Sequence, residues 1–336
     1  MRRIASFKIA VIAIIVLLLA AAAGYSGYWF VTANALKVGL KAWTTNQRAD
    51  GYDIAWSEPR ITGFPLRFRI VLRHVALARG GPALYRVTAP LVTGEATPFD
   101  LSRWKVAAPG GARGTVQGVD GTIRAATMFG QVRIGPRHDR LALTAHTVTG
   151  EGATAGAIDA ALTLPHQPPR SYHDPGLAAR LQLFHLVLPE AVRPLGKTIE
   201  SIAFDVTVEG GLPPGDWRAA LREWSDSGGT VEINHAALQW GALRLEGNGT
   251  LALDQALQPE AAMTAAIINQ DTLIDAALTS HLLTPGSAAV VKTVLDLLAK
   301  RGPDGTKRLT APVTIQNQTL SVGNVRIGRL PTIRWR

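Results

Sequence analysis

The sequence predicts a β-rich α+β protein: an N-terminal transmembrane helix followed by an extended, twisted, mostly antiparallel sheet that can curve into a groove, with a few helices. Three observations carry that prediction. Residues Ile9–Val31 contain no charged side chain. Beyond Asp50, segment after segment alternates apolar and polar residues with period two. Gly-rich stretches punctuate those segments.

The chain opens on Arg2, Arg3 and Lys8, a basic cytoplasmic N-terminus of residues 1–8, followed by the apolar run 9–31. At about 1.5 Å per helical residue this run reaches roughly 34 Å, enough to cross a hydrocarbon core about 30 Å thick. Ala20–Ala23 also offers small residues for signal-peptide cleavage. Tyr25, Tyr28, Trp29 and Phe30 follow, aromatics of the kind that settle at a membrane–water interface, which favours a retained anchor. Either way the bulk of the chain crosses the membrane, and the positive-inside rule holds the basic start in the cytoplasm. The expected localisation is the bacterial inner membrane, single-pass, with a periplasmic body over 51–336. Val290–Ala299, interrupted by Lys292 and Asp296, cannot span again.

Hydrophobic residues make up 47% of the chain and charged residues 18%, so the body can bury a core. There is no cysteine, which excludes disulfides, thiolate zinc sites and cysteine nucleophiles. The net charge is +10, and setting aside the three basic residues before the anchor leaves 32 basic against 25 acidic. That surplus is spread without a Lys/Arg block, as on solvated strand faces; no nucleic-acid partner is expected.

Residues 32–50 read as a juxtamembrane helix, with Leu36, Leu40 and Trp43 at helical spacing. In Phe64–Val75 the period becomes two. Phe64, Leu66, Phe68, Ile70 and Leu72 share one parity, and Arg67, Arg69 and Arg73 take the other. Further strands are expected at Gln131–Ile134, Arg140–Val148, Ile158–Leu164, Ala179–Leu188 and Ser201–Val208. Punctuation falls at Pro109–Gly114, Gly118–Gly121 and Gly210–Gly215, and Pro165–Pro175 reads as a loop or subdomain boundary. Two later hairpins are expected. In the first, Thr230–His235, Ala237–Trp240, Ala242–Leu245 and Thr250–Leu253 are broken by Gly241 and by a turn at Gly247-Asn248-Gly249. In the second, Ala311–Ile315 and Leu320–Ile327 flank Gln316-Asn317-Gln318. Helices are expected at Asp271–Leu282 and Ser287–Arg301, the latter closed by Gly302.

A search for chemistry returns no catalytic, cofactor-binding or metal-ligating set. Ser225-Asp226-Ser227-Gly228-Gly229 resembles a protease serine environment only superficially and reads as a polar turn before Val231. The eight histidines show no paired ligand spacing. His74 and His185, inside strand patterns, read as hydrogen-bonded structural residues. No glycine-rich phosphate loop is present. The candidate functional residues are an apolar strand face, Leu66, Phe68, Ile70 and Leu72, with Arg67, Arg69 and Arg73 as headgroup contacts.

The run Trp56-Ser57-Glu58-Pro59-Arg60-Ile61-Thr62-Gly63-Phe64-Pro65-Leu66-Arg67-Phe68 resembles the signature of an uncharacterised bacterial family, domain of unknown function 2125. Gly228–Thr230 through Trp240-Gly241, Gly247–Asp254 and Val322–Pro331 fit the same family. The layout is more loosely similar to AsmA-like envelope proteins, which are anchored in the inner membrane and have β-rich bodies implicated in lipid handling. The resemblance implies a non-enzymatic envelope protein, without cofactor, that contacts inner-membrane lipid through an apolar sheet face. The alternative is a structural or assembly factor that binds other envelope proteins through a sheet edge. Fold-level analogy does not choose between them.

Overall fold

The computed structural model describes residues 2–49, 51–79, 85–116, 122–192, 194–211, 213, 217–279, 283–301, 307–323 and 325–333. The expected punctuation at Gly118–Gly121, the end of the first late helix at Leu282 and Gly302 lie outside them. The chain divides into two compact units, Met1–Thr122 and Ile123–Arg336.

The first unit begins with α1 (Arg2–Ala49), in which the expected anchor and juxtamembrane helix form one unbroken element. Among the described residues it is the one helix long and apolar enough to cross a membrane. Gly51 stops it: at φ +85 its N–H reaches back to the Arg48 carbonyl at 3.1 Å, the left-handed glycine end that L-side chains resist. Six strands follow: β1 (Tyr52–Ala55), β2 (Arg60–Thr62), β3 (Phe68–Arg79), β4 (Tyr85–Thr97), β5 (Asp100–Ala108) and β6 (Ala112–Val116). β3 pairs antiparallel with β1, β2 and β4, and β4 also pairs with β5 and β6. The core of this unit lies where Trp29 and Ala33 of α1 meet Phe68, with Leu36, Ile61, Leu101 and Trp104 packed around them.

The second unit is a twisted antiparallel meander. It runs through β7 (Ile123–Ile134), β8 (His138–Gly150), β9 (Ala153–Pro165), β10 (Pro175–Val192), β11 (Gly196–Glu209), β12 (Thr230–Trp240), β13 (Leu243–Leu253) and β14 (Pro259–Ile268). The short β15 (Lys300–Arg301) and the longer β16 (Lys307–Gln316) follow, then β17 (Thr319–Val322) and β18 (Val325–Arg329). Consecutive strands pair from β7 to β14; β16 pairs with β14, β15 and β17, and β17 with β18. Residues 166–174 form the loop between β9 and β10. Three helices interrupt the strands: α2 (Trp217–Asp226), α3 (Gln270–Thr279) and α4 (Pro285–Leu298). Thr284 and Ser287 close a capping box at the start of α4, with Pro285 in its first turn. Ile274, Ala276, Ala288, Val291 and Leu295 of α3 and α4 bury Leu243, Ile267, Leu309 and Ala311 of the sheet.

Several expectations are corrected. Leu66 does not join a buried strand face. Gly63 at φ +104 and the hydrogen bond from Arg67 N–H to the Gly63 carbonyl (3.0 Å) close a turn over 63–67, so β3 starts only at Phe68 and Leu66 is 70% exposed. Gly247-Asn248-Gly249 is no turn. It lies inside β13, paired with Ala265, Thr264 and Met263 of β14, opposite a bulge at Asn234-His235 of β12. A Cβ on Gly249 would stand 2.4 Å from the Ala262 carbonyl oxygen, so the close approach of β14 demands glycine. Ser225 and Asp226 belong to the last turn of α2, which sequence periodicity missed. Its end is closed by Gly229 N–H bonding the Trp224 carbonyl (2.9 Å) and Gly228 N–H the Ser225 carbonyl (3.0 Å). Leu320–Ile327 is two strands, because Gly323 turns the chain at φ +55. Asn317 and Gln318, both at positive φ, make the expected tight hairpin loop between β16 and β17.

His74, Thr147 and His185 stand in strands with φ near +50. Arg73↔Leu91 and Val75↔Ala89 flank His74 without a register shift, leaving Pro90 opposite it. In the second unit His146↔Ala157 and Val148↔Ala155 flank Thr147, and Phe184↔Ala157 and Leu186↔Ala155 flank His185; both therefore oppose Gly156. Facing strands skip a pair together. Register is kept while apolar parity switches, from Phe68, Ile70 and Leu72 to Val75 and Leu77 in β3, and from Leu181 and Leu183 to Leu186 and Leu188 in β10. These transverse creases explain why the single alternation in Phe64–Val75 does not continue along β3. His74 and His185 are exposed, and His74 Nδ1 lies 3.2 Å from Ser57 Oγ.

Candidate functional site

Strand alternation puts directly opposed residues of a ladder on the same face. Followed across the second unit, one row joins Met128, Ala145, Ile158, Leu183, Ile202, Leu238, Leu245, Ile267 and Leu309, one residue from each of nine strands. All nine are apolar. The next row carries Leu143, Ala160, Leu181, Phe204 and Ala236, and the one beyond it Leu141, Leu162, Ala179, Val206 and Ile233. The opposite face of the same strands carries Arg140 and Thr163, Thr144 hydrogen-bonded to Asp159, and the ion pair Arg180–Asp205. The sheet is thus amphipathic across β8–β11.

The two ends of the apolar face are treated differently. Under α3 and α4 it is core, with Ile267 and Leu309 buried. Over β8–β11 it is partly open: Ala145 is buried and Ile158, Leu183 and Ile202 are half-buried, but Leu143 and Leu181 are each 38% exposed and Phe204 44%. Four strands at about 4.8 Å spacing and three rows along each span on the order of 400 Å², the size of the largest apolar patch on a typical monomer, which is often functional. The sequence reading recognised the strands that carry it but drew its candidate face from Phe64–Val75 instead. The signal was in the parity of Leu141/Leu143, Leu181/Leu183 and Ile202/Phe204, legible only once neighbouring strands are registered.

The residues singled out from the sequence separate in the first unit. Phe68 is fully buried against Trp29, with Ile70 and Leu72 half-buried on the same parity, and Leu66 is exposed in its turn. Arg67 and Arg69 share Glu95, at 3.4 and 2.6 Å. Only Arg73 of the three arginines lines a cleft, about 800 Å³ in volume, between α1 and the segment 57–62. Lys37 and Arg60 join it there, over apolar walls from Trp29, Ala33 and Ile61. Sequence reasoning missed both, because α1 and β2 are brought together only by folding. Glu58 is the cleft's one carboxylate, 2.7 Å from Lys37. The ammonium hydrogen bond, then its charge and that of Lys41, hold Glu58 below the usual carboxylate range. With Glu58 set against Lys37, two net positive charges remain beside an apolar wall, which suits the anionic head of an amphipathic molecule.

The bacterial family described as "Uncharacterized protein conserved in bacteria (DUF2125)" matches residues 29–331. The chain belongs to that family. No curated protein matches it.

Proposed function

We propose that this DUF2125-family protein is a non-enzymatic, membrane-anchored envelope protein that receives the apolar part of lipid molecules on the open face of β8–β11. The carrying observation is that face: core under α3 and α4, half-exposed over the preceding strands. A leucine or phenylalanine side chain taken fully out of water contributes about 1.5–3 kcal/mol, so a row of half-exposed ones is a standing affinity for apolar matter. α1 supplies the membrane attachment, and the basic start of the chain argues for a cytoplasmic N-terminus and a periplasmic body. Inner-membrane lipid is then the apolar matter at hand, and the looser likeness to AsmA-like envelope proteins points the same way.

The test is mass spectrometry of lipid that co-purifies with the detergent-solubilised full chain, compared with a variant carrying Leu181→Asp and Phe204→Asp. Both positions are partly exposed, so the variant keeps its core; Phe68→Asp, by contrast, would strike the packing against α1. Stoichiometric phospholipid that is lost from the folded variant supports lipid contact. Lipid no higher than on an unrelated anchored control overturns it and favours a protein partner at a sheet edge.

A further inference from the structure

The turn over 63–67 and the turn joining β4 to β5 both rest on α1, at the level of its aromatic residues. Tyr25 donates its phenol to the Pro65 carbonyl, and Tyr28 donates to the Pro98 carbonyl at 2.8 Å. Phe64 stacks on Phe30 (ring centroids 5.7 Å apart, 17° between planes) and Phe99 on Tyr25 (6.1 Å, 21°). Despite these contacts the turns stay largely bare: Phe64 is 47% exposed, Leu66 70% and Phe99 80%. These apolar tips are continuous with the uncovered apolar surface of α1.

Charge begins immediately behind them. Arg67 and Arg69 pair with Glu95 behind one turn, and Arg103 pairs with Asp100 at 3.2 Å behind the other. The level of these turns along α1 is what fixes their surroundings. Tyr25 precedes Val31 by six residues, about 9 Å of helix. If the span runs to Val31, Phe99, stacked on Tyr25, sits that far inside its apolar end, and Phe64, stacked on Phe30, sits just inside it. If it stopped at Gly24, Ile9–Gly24 would supply only about 24 Å, short of a core about 30 Å thick, and the tips would have to help fill the difference. Either boundary puts Phe64, Leu66 and Phe99 in lipid and the arginine–carboxylate pairs at headgroup depth, where aromatic and basic side chains are favoured.

We infer that the turns 63–67 and 97–100 form a second membrane contact, inserting Phe64, Leu66 and Phe99 into the leaflet from which α1 emerges. This goes beyond lipid capture on the second unit's sheet and rests on α1 being a membrane span. It makes the first unit an embedded base with its sheet fixed against the bilayer.

Because the chain has no cysteine, single substitutions Leu17→Cys, Leu66→Cys, Phe99→Cys and Lys41→Cys can each be labelled with an environment-sensitive fluorophore. The full chain is reconstituted in vesicles of phosphatidylethanolamine and phosphatidylglycerol. Leu17, Leu66 and Phe99 labels should be blue-shifted, quenched by nitroxide-bearing lipid and protected from aqueous iodide, while Lys41 should show the reverse. Lipid protection at Leu17 with Leu66 or Phe99 behaving like Lys41 overturns the second contact and leaves the anchor standing. Iodide quenching at Leu17 as strong as at Lys41 overturns the anchor, and the second contact with it.

Discussion

Trp29 of α1 lies nearly parallel over Phe68, the first residue of β3, with ring centroids 5.1 Å apart and 22° between the planes. Phe68 is fully buried and Trp29 is 4% exposed. Here the long apolar helix becomes part of the folded unit. Trp29 Nε1 also donates to the Arg67 carbonyl at 3.3 Å, and Phe64 meets the indole edge-on. Further along α1, Trp43 stacks on Trp56 and Arg48 donates to the Ile54 carbonyl.

Removing either ring at that contact should therefore loosen the whole first unit. Phe68→Ala leaves a cavity against Trp29 and should cost about 3–5 kcal/mol. Denaturant unfolding of the detergent-solubilised chain, followed by tryptophan fluorescence, measures it. A loss below about 1 kcal/mol would mean that α1 and β3 do not share a core.

The charge-free stretch of α1 leads to a topological expectation. Reporter fusions after Arg48 and at the C-terminus should both read as exported, and the protein should resist alkaline carbonate extraction. A soluble periplasmic form with a new N-terminus near Gly24 would show that the apolar run is a cleaved signal.

The Lys37–Glu58 bridge should make the cleft sensitive to acid. Glu58 has a lowered pKa in the folded chain, so its contribution to folding is present above the ordinary carboxylate range and fades as pH falls through the lowered value. Carbon-detected NMR should find the Glu58 carboxyl titrating below an unperturbed glutamate, and Lys37→Met should move that midpoint upward. An unchanged midpoint would mean that the bridge is not populated in solution.

What was legible in the sequence follows from the range of the interactions involved. α1 could be read because its signal is one-dimensional: a missing charge over residues 9–31. Strands β7–β11 were legible because alternation is local. The crease at His74 was not, although Val75 and Leu77 follow Phe68, Ile70 and Leu72 on the other parity. A parity change in one strand looks like noise until Pro90 is found opposite it in β4. The Gly247–Gly249 run misled for a related reason. Glycines close together signal a turn in isolation, but here they make room for a neighbouring strand. The cleft cations Lys37 and Arg60 are separated by the helix end and β1, and no local pattern joins them.

Two glycines that look equivalent in the sequence should respond oppositely to alanine. At Gly249 a Cβ would meet the Ala262 carbonyl oxygen at 2.4 Å and the Met263 Cα at 2.5 Å, backbone atoms of a paired strand that cannot step aside. Gly249→Ala should separate β13 from β14 and destabilise the second unit by about 1–3 kcal/mol, the usual range for overpacking. At Gly286, in the first turn of α4, nothing lies within 4 Å of an added Cβ. There alanine removes glycine's backbone freedom in the unfolded chain and should stabilise by about 0.4–1 kcal/mol. Thermal unfolding of the two single variants beside the parent decides the matter. A harmless Gly249→Ala would mean that Gly247-Asn248-Gly249 forms the turn its sequence suggests rather than a continuous strand.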